Sequence, residues 1–300
     1  MIDNLLIVNK STSKSIRMDM DKADFLLFEG GIDLGSVETK HNTFSYTSQI
    51  GEYITGTILG KRNISISGWI IGKSEQEIFG KKDTLSKTIN PFNDLRIQFE
   101  EYGIDCRAET NVSFSKSYNE NNDRMCKFLI KLLCPFPLFN KNSDISYTLV
   151  EEKGAFRMPW VLTDKTILSW VKASTLTDVV NEGPIPVGIR IVLTAKGVVN
   201  NPTIILVETQ EKAKLNTVMT DGETIEISSQ KERYVTRTID GITENYLDYL
   251  DYDSTWLQLK PGENRIAIKT YDDSGIEDSS VNNLEVNIYY NPCLFNLKEE

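Results

Sequence analysis

Apolar side chains recur at every second residue in many short segments, and this alternation constrains the fold more than any other feature of the sequence. Successive side chains of a β-strand point to opposite faces, so such alternation predicts strands with one buried face. The segments with this pattern are residues 25–28, 53–59, 64–71, 95–99, 104–109, 125–133, 145–150, 187–193, 204–207, 224–227, 234–238, 265–268 and 284–290. The sequence therefore predicts a mostly β protein.

One segment breaks the alternation. Ser74 precedes Glu77 by three residues, a spacing at which each side chain accepts a hydrogen bond from a backbone N–H at a helix start. The apolar residues that follow have helical spacing: Ile78, Phe79, Leu85 and Ile89. Pro91 then ends the pattern, since a helix rarely continues into the residue before a proline. This predicts a single helix, Ser74 to Ile89, packed on a strand-rich domain.

The length of the chain and a pair of prolines predict two domains. The chain has 300 residues, whereas one domain usually has about 100–200. Pro135 and Pro137 directly follow a long predicted strand, and proline cannot donate to a strand ladder. We therefore expect a β-barrel or sandwich with one helix at residues 1–139. Turn signals such as Asn201-Pro202 separate the later strands and predict an antiparallel β-sandwich at residues 140–300.

Charge and hydropathy exclude two classes of partner. The formal net charge is −10, with acidic and basic residues interleaved, so no basic stripe is available to neutralise phosphates. No apolar run approaches the roughly 20 residues of a membrane-spanning helix, and the N-terminus lacks signal-peptide features. We expect no specific nucleic acid binding and no membrane association, and we expect synthesis and folding in a cytoplasm.

The four cysteines have the pattern of core residues. Cys106, Cys126, Cys134 and Cys293 form no C-x-x-C pair and have no histidine at a zinc-ligand spacing. Cys106 alternates with apolar neighbours on one strand, as do Cys126 and Cys134 on another, and free cysteine is among the most buried residue types. The thiols are expected to be buried and reduced, without a metal.

The segments that resemble catalytic or cofactor-binding motifs lack the required residues or spacing. Gly72-Lys73-Ser74 resembles the end of a phosphate-binding loop, but Gly68 leaves three residues before Gly72, where such a loop needs four. His41 is the single histidine, and no G-x-S-x-G motif surrounds a serine. The sequence therefore predicts no enzyme, and no catalytic, cofactor-binding or metal-binding residue is assigned.

Two groups of residues are candidates for contacts with other proteins. The alternating polar segment Gly51 to Ile66, with Tyr46, Tyr53 and Arg62 nearby or within it, is expected to line a ring of subunits or to contact a neighbouring subunit. A second segment concentrates aromatic and acidic residues, and its acids do not match an EF-hand spacing. Because tyrosine and tryptophan anchor protein interfaces, this second segment is expected to be a docking surface. Its candidate residues are Tyr246, Tyr249, Tyr252 and Trp256.

In order along the chain, four stretches resemble the distal tail protein family of long-tailed bacteriophages and related tail-like particles. They are Gly51 to Trp69, the helix leading into Thr88-Ile89-Asn90-Pro91, Tyr102 to Arg107, and Lys127 to Phe139. The last stretch is the most specific, because in that family a Cys-Pro-x-Pro-aromatic sequence closes an N-terminal ring-forming domain. A galectin-like β-sandwich follows in the family, and Leu257 to Asn264 looks like its closing hairpin.

The resemblance implies a structural protein of the virion tail, assembled in the cytoplasm of the bacterial host. It implies a homo-hexameric ring that connects the tail tube protein to the tail-tip hub and to receptor-binding or baseplate proteins. An acidic chain suits this role, because the lumen of a tail must let DNA pass. A carbohydrate-binding or adhesin module of a tail or cell surface, using the second sandwich, remains an alternative.

Overall fold

The computed structural model describes residues 4–21, 23–47, 50–115, 125–149, 151–154, 169–172 and 176–297. The chain divides into two compact units, of which the first comprises Met1–Asn142 and Leu294–Glu300 and the second Ser143–Cys293. The sequence prediction placed the division near Asn140 and assigned every later residue to the second domain. The structure differs at the C-terminus, where the chain returns to the first unit.

The first unit contains ten strands and one helix within the described residues. In chain order they are β1 Asn4–Asn9, β2 Ser15–Asp19, β3 Phe25–Asp33, β4 Val37–Phe44, β5 Tyr53–Ile71, α1 Glu75–Thr88, β6 Leu95–Phe99, β7 Tyr102–Ala108, β8 Ser113–Ser115, β9 Met125–Cys134 and β10 Phe139–Lys141. Seven strands pair in the order β7-β6-β1-β2-β3-β5-β9, and β9 pairs with β7. The sheet therefore closes into a seven-stranded barrel.

Alternation of apolar residues places one face of each barrel strand in the core. Buried and partly exposed residues alternate along β1 and through the second half of β5. Large side chains from different strands meet inside: Leu5, Ile7, Ile64, Ile66, Ile97, Ile104, Phe128 and Ile130. Full burial of one such side chain stabilises the folded state by about 1.5–3 kcal/mol, so this core is the main support of the barrel.

The helix begins and ends close to the predicted residues. Ser74 is the N-cap, and its hydroxyl accepts a hydrogen bond from the Glu77 N–H at 3.2 Å. The Glu77 carboxylate accepts one from the Lys73 N–H at 2.8 Å. Three residues of the predicted apolar stripe are buried, namely Ile78, Leu85 and Ile89. Phe79 is 73% exposed, contrary to the prediction, because it lies about 100° around the helix from Ile78.

The second unit consists of antiparallel sheets. Its strands are β11 Ile145–Thr148, β12 Glu151–Gly154, β13 Ser169–Lys172, β14 Leu176–Asn181, β15 Val187–Ala195, β16 Val199–Asn200, β17 Thr203–Leu206, β18 Lys212–Lys214, β19 Val218–Met219, β20 Thr224–Ser228, β21 Tyr234–Ile239, β22 Ile242–Asn245, β23 Gln258–Leu259, β24 Gly262–Lys269 and β25 Leu284–Tyr290. Short 3₁₀ helices lie at Leu247–Tyr249 and Ser280–Asn283. A final strand, β26 at Cys293–Leu294, marks the return of the chain to the first unit.

Two larger sheets carry the core of the second unit. One has the order β11-β25-β15-β20-β21-β22, with β23 paired to β15, and the other has the order β14-β24-β17-β18. The predicted fold class, mostly β with a helix-bearing barrel and an antiparallel sandwich, is confirmed. The predicted closing hairpin Leu257 to Asn264 is wrong, because β23 pairs with β15 while β24 pairs with β14 and β17.

Candidate assembly surfaces

A two-stranded ribbon continues beyond the paired strands of the barrel. Strand β5 pairs with β9 from Arg62 to Ile71, whereas residues 53–61 of β5 pair with β4 alone. We call β4 together with residues 53–61 the arm. Among the described residues, neither outer edge of the arm has a strand partner. The backbone N–H and C=O groups along both edges are therefore available to another chain.

The arm exposes large apolar side chains as well as its edges. Tyr53, Ile54 and Ile58 are each more than half exposed, and Phe44 is half exposed. The Phe44 ring packs edge to face on Tyr46, with 4.8 Å between ring centres, so the connection at the tip of the arm is also aromatic. Phe44 lies opposite Tyr53 in the register, and Ile54 and Ile58 lie on the same strand as Tyr53. Exposed apolar residues that lie together mark interaction sites. The predicted interface residues Tyr46 and Tyr53 are thus exposed on the arm and its connection, and their contact role stays a prediction.

The structure corrects the expectation that Arg62 is available to a neighbouring subunit. Arg62 is 1% exposed, because it starts the part of β5 that pairs with β9 and shares the inward parity of Ile64. Its Nη2 donates to the Phe295 carbonyl at 2.5 Å. Nε and Nη1 have no hydrogen-bond partner within the described part of the chain. Burial lowers the pKa of this guanidinium, although the nearby Cys134 acts in the opposite direction.

The predicted docking segment of the second unit is divided between core and surface. Tyr246 is buried, and its hydroxyl lies 2.7 Å from Thr217 Oγ1, so the expectation that it is a surface residue is wrong. The Tyr246 N–H donates to the Val235 carbonyl at 2.8 Å, which ties this position to β21. The Tyr249 ring stacks on Tyr246 at 3.9 Å but stays 46% exposed, and Tyr252 is fully exposed.

Trp256 has limited access to solvent. It is only partly exposed, and the Arg233 guanidinium lies 5.9 Å from the centre of its ring. A sugar-stacking platform needs open aromatic faces, whereas the rings of Tyr246 and Trp256 already have protein neighbours. The docking role of the exposed residues, Tyr249 and Tyr252, stays a prediction.

The residues that suggested enzyme chemistry have ordinary surroundings. His41 lies exposed on β4, with Nδ1 3.0 Å from Thr57 Oγ1. The Lys73 N–H, which a phosphate-binding loop would offer to its ligand, is already bonded to Glu77. In the part of the chain that is described, no group of three or more His, Cys, Asp or Glu side chains is placed to hold a metal. None of the described helices has the length and apolarity needed to cross a bilayer.

Two families of phage tail domains match the chain in sequence. Residues 22–134 match the phage tail protein RIFT-related domain, and residues 182–290 match the C-terminal domain of the siphovirus-type tail component. The first match lies within the barrel unit and the second within the sandwich unit. Together they span more than half of the chain. No curated protein sequence matches at a significant level.

A solved structure of a phage tail protein has the same fold. The crystal structure of the Dit protein of phage SPP1, described as a paradigm of the hub adsorption apparatus in phages that infect Gram-positive bacteria, matches with a TM-score of 0.65 and 12% sequence identity. The match covers 96% of this chain and 98% of that chain. A chain of the phage P2 baseplate, in an activated conformation with calcium, has a TM-score of 0.48 and 9% identity, with 97% of each chain covered. The two family matches and the fold shared with the SPP1 protein show that the chain is a structural component of a phage tail, not an enzyme, and belongs to the Dit-like distal tail proteins.

Proposed function

We propose that six copies of this protein close into a ring through the first unit. In the virion tail, this ring joins the tail tube to the tail-tip hub and to receptor-binding or baseplate proteins. The observation that carries the proposal is the arm, whose two edges have no strand partner among the described residues and whose apolar side chains are exposed. The two family matches support the location in a tail. The ring is proposed to assemble in the cytoplasm of the host.

An arm of this kind is expected to need a neighbour. A two-stranded hairpin is at best marginally stable in water, and three or more strands or a packed face are needed for independent stability. The arm has two strands, and β4 has no buried residue along its length. Strand addition from a second copy would satisfy the open edge and cover Ile54 and Ile58 at the same time. The arm is therefore assigned to the subunit contact of the ring.

The geometry of such a contact favours a closed ring. If the arm of one copy binds a different surface of the next copy, the contact is heterologous, and heterologous contacts generate rings when the rotation closes. Strand edges used in this way are no longer free to promote open-ended association. The number of six subunits comes from the family resemblance and not from the arm itself.

The second unit is proposed as the docking platform for other tail proteins. Tyr249 and Tyr252 offer exposed aromatic side chains of the type that anchors interfaces. The net charge of −10 suits a ring whose lumen DNA must cross, because an acidic wall does not retain phosphates.

Native mass spectrometry of the purified full chain tests the ring. We expect a hexamer, alone or on addition of the tube protein. The double substitution of Ile54 and Ile58 by Asp should shift the mass to that of the monomer, because it places charges on the apolar contact face. Ile242→Asp is the matched control, since Ile242 is 74% exposed on β22 of the second unit, and it should keep the hexamer.

Two outcomes would contradict the proposal. One is a wild-type protein that stays monomeric even with its tube neighbour. The other is a ring that survives the arm substitutions and is built only from residues after Asn140. Binding of a defined glycan by the monomer would instead support the adhesin alternative.

A further inference from the structure

Two buried cysteines face each other at the seam where the barrel closes. Strands β7 and β9 pair antiparallel, with Arg107 opposite Leu133 and Ala108 opposite Leu132. Continuing the same register by one step places Cys106 opposite Cys134. Both thiols are free, at 3% and 0% exposure. The last strand pairing of the barrel therefore ends on a cross-strand pair of thiols.

The pairing pattern places these cysteines at a position suited to a disulfide. The Glu109 N–H donates to the Lys131 carbonyl at 2.9 Å, so these two residues form a hydrogen-bonded pair. Hydrogen-bonded and non-hydrogen-bonded pairs alternate along an antiparallel ladder, which makes Cys106 and Cys134 a non-hydrogen-bonded pair. The Cα atoms of such pairs are about 4.5 Å apart, within the range of about 4.4–6.8 Å that disulfides span.

The remaining cysteines lack such a partner. Cys126 lies opposite Ile70 on β5, and Cys293 lies in the other unit. Both are free and buried. They therefore provide internal controls for any reaction of the seam pair.

The surroundings of the two seam thiols differ. A hydrogen bond to Cys134, followed by burial, raises the pKa of Cys106 well above its ordinary value. Cys106 thus stays a thiol that contacts the other sulfur. Cys134 lies opposite Arg62, whose buried guanidinium has two nitrogens without a hydrogen-bond partner among the described residues. Because the guanidinium lies on the strand beside Cys134, we assign Cys134 as the attacking cysteine and Cys106 as the resolving cysteine.

We propose that Cys106 and Cys134 are a redox-sensitive pair that forms a disulfide across the barrel seam when the tail leaves the reducing bacterial cytoplasm. The setting rests on the proposed function, because a virion component passes from the reducing cytoplasm to an oxidising exterior. The oxidant is a peroxide. The Cys134 sulfur attacks one peroxide oxygen, the O–O bond breaks, and Cys134 becomes a sulfenic acid as the departing hydroxide takes up the thiol proton to form water.

The second step closes the bond. The Cys106 sulfur attacks the Cys134 sulfenic sulfur, the S–S bond forms, and the S–O bond breaks. The leaving hydroxide takes the Cys106 proton and becomes a second water. In total, two thiols and one hydrogen peroxide give one disulfide and two waters. The product joins β7 to β9 covalently, so it should hold the barrel closed against unfolding.

Peptide mapping of the folded full chain tests the pair. The protein is purified with reductant, desalted, treated with hydrogen peroxide, blocked with an alkylating agent and digested without reduction. We expect one disulfide, between Cys106 and Cys134, with the mass loss of two hydrogens, a higher Tm than the reduced protein, and full reversal by dithiothreitol. Cys126→Ser should form the same bond, and Cys106→Ser should stop at a sulfenic acid on Cys134 that dimedone traps.

The peptide map of the wild-type protein tests the disulfide even if a serine variant does not fold. Absence of the Cys106–Cys134 bond in folded, peroxide-treated protein would overturn the proposal, as would a bond that forms only in denaturant or that joins Cys126 equally often. Native masses recorded on the same samples separate the two proposals. A monomer with the seam disulfide contradicts the ring alone, and a hexamer without the disulfide contradicts the redox pair alone.

Discussion

The guanidinium carbon of Arg62 lies 4.7 Å from the centre of the Phe139 ring, inside the first unit. This contact joins β5, the strand that runs from the arm into the barrel, to β10, which follows Pro135 and Pro137 after the end of β9. The same guanidinium binds the carbonyl of Phe295 in the returning C-terminal segment. A single buried cation therefore contacts two segments that are far apart in sequence.

Replacement of Arg62 by Met tests what this charge contributes. An incompletely paired buried charge is costly, and apolar residues of similar volume often replace such groups without loss of stability. We expect Arg62→Met to leave the free energy of unfolding unchanged or to raise it by up to about 2 kcal/mol, measured by urea denaturation. Arg62→Lys should be less stable than both the wild type and Arg62→Met, because an ammonium group is more strongly hydrated than a guanidinium and lacks its planar face.

A loss of more than about 2 kcal/mol in Arg62→Met would contradict this expectation. It would mean that the hydrogen bond to Phe295 and the contact with Phe139 outweigh the cost of burying the charge.

Two glycine substitutions should change the stability of the protein in opposite directions. A Cβ atom on Gly68 would lie 2.0 Å from the Leu26 carbonyl oxygen and 2.9 Å from the Phe128 ring, so Gly68→Ala should lower stability by about 1–3 kcal/mol or more. Gly80 lies within α1, where an added Cβ meets nothing within 4 Å. Gly80→Ala should raise stability by about 0.5–1 kcal/mol, because alanine favours the helix. Thermal unfolding of both variants measures the difference, and equal effects would contradict it.

The sequence predicts the individual strands and the helix better than it predicts the closure of the barrel. Alternation located strands such as β6 and β25, whose bounds agree with the prediction. Strand β1 was missed, because Leu5 to Val8 is a continuous apolar run in which alternation cannot be read. The pairing of β7 with β9, which closes the barrel, joins residues far apart in sequence, and no local pattern encodes it.

In the candidate surfaces, the sequence predicted the exposure of some residues but not of others. Tyr46 and Tyr53 are exposed as expected, since they lie on the arm and its connection, where no further strand pairs among the described residues. Arg62 and Tyr246 are buried, because a charged or hydroxylated side chain can be inward when a ring, a carbonyl or a hydroxyl lies within reach. Those partners come from distant segments, so sequence spacing alone did not reveal them.

The pair of Arg237 and Glu223 gives a sharp test in the second unit. The Glu223 carboxylate is fully buried and accepts hydrogen bonds from Arg237 and from the Thr220 N–H, the latter at 3.0 Å. Hydrogen bonding to Glu223 raises the pKa of Arg237. Arg237→Met leaves this carboxylate without its cation, so we expect a loss of about 3 kcal/mol by urea denaturation.

Glu244→Gln is the matched control, because Glu244 is exposed and its contact with Arg237 is 3.6 Å long. Exposed ion pairs contribute about 0–1 kcal/mol, so this variant should stay close to the wild type. Equal losses in the two variants would contradict the assigned role of Glu223.

The pH dependence of stability should contain a contribution from Asp278. Burial alone would raise the pKa of this carboxyl, but hydrogen bonds from Asn200, Thr270 and Ser280 lower it to about 2. The Asn200 amide donates at 2.8 Å and the Ser280 hydroxyl at 2.7 Å. Since the unfolded value is about 3.9, the folded state gains stability from ionised Asp278 above about pH 4 and loses it as the pH falls toward 2.

Denaturation of wild type and Asp278→Asn across this pH range isolates the contribution, because the other acidic groups remain in both proteins. We expect the variant to be less stable at pH 7, and the gap between the two proteins to narrow as the pH falls from about 4 to about 2. Asp273→Asn, at an exposed neighbouring position, should follow the wild-type curve. If the gap between wild type and Asp278→Asn stays constant over the whole range, then the hydrogen bonds to Asp278 do not favour its charged form, because a constant gap means that the pKa of Asp278 is the same in the folded and unfolded states.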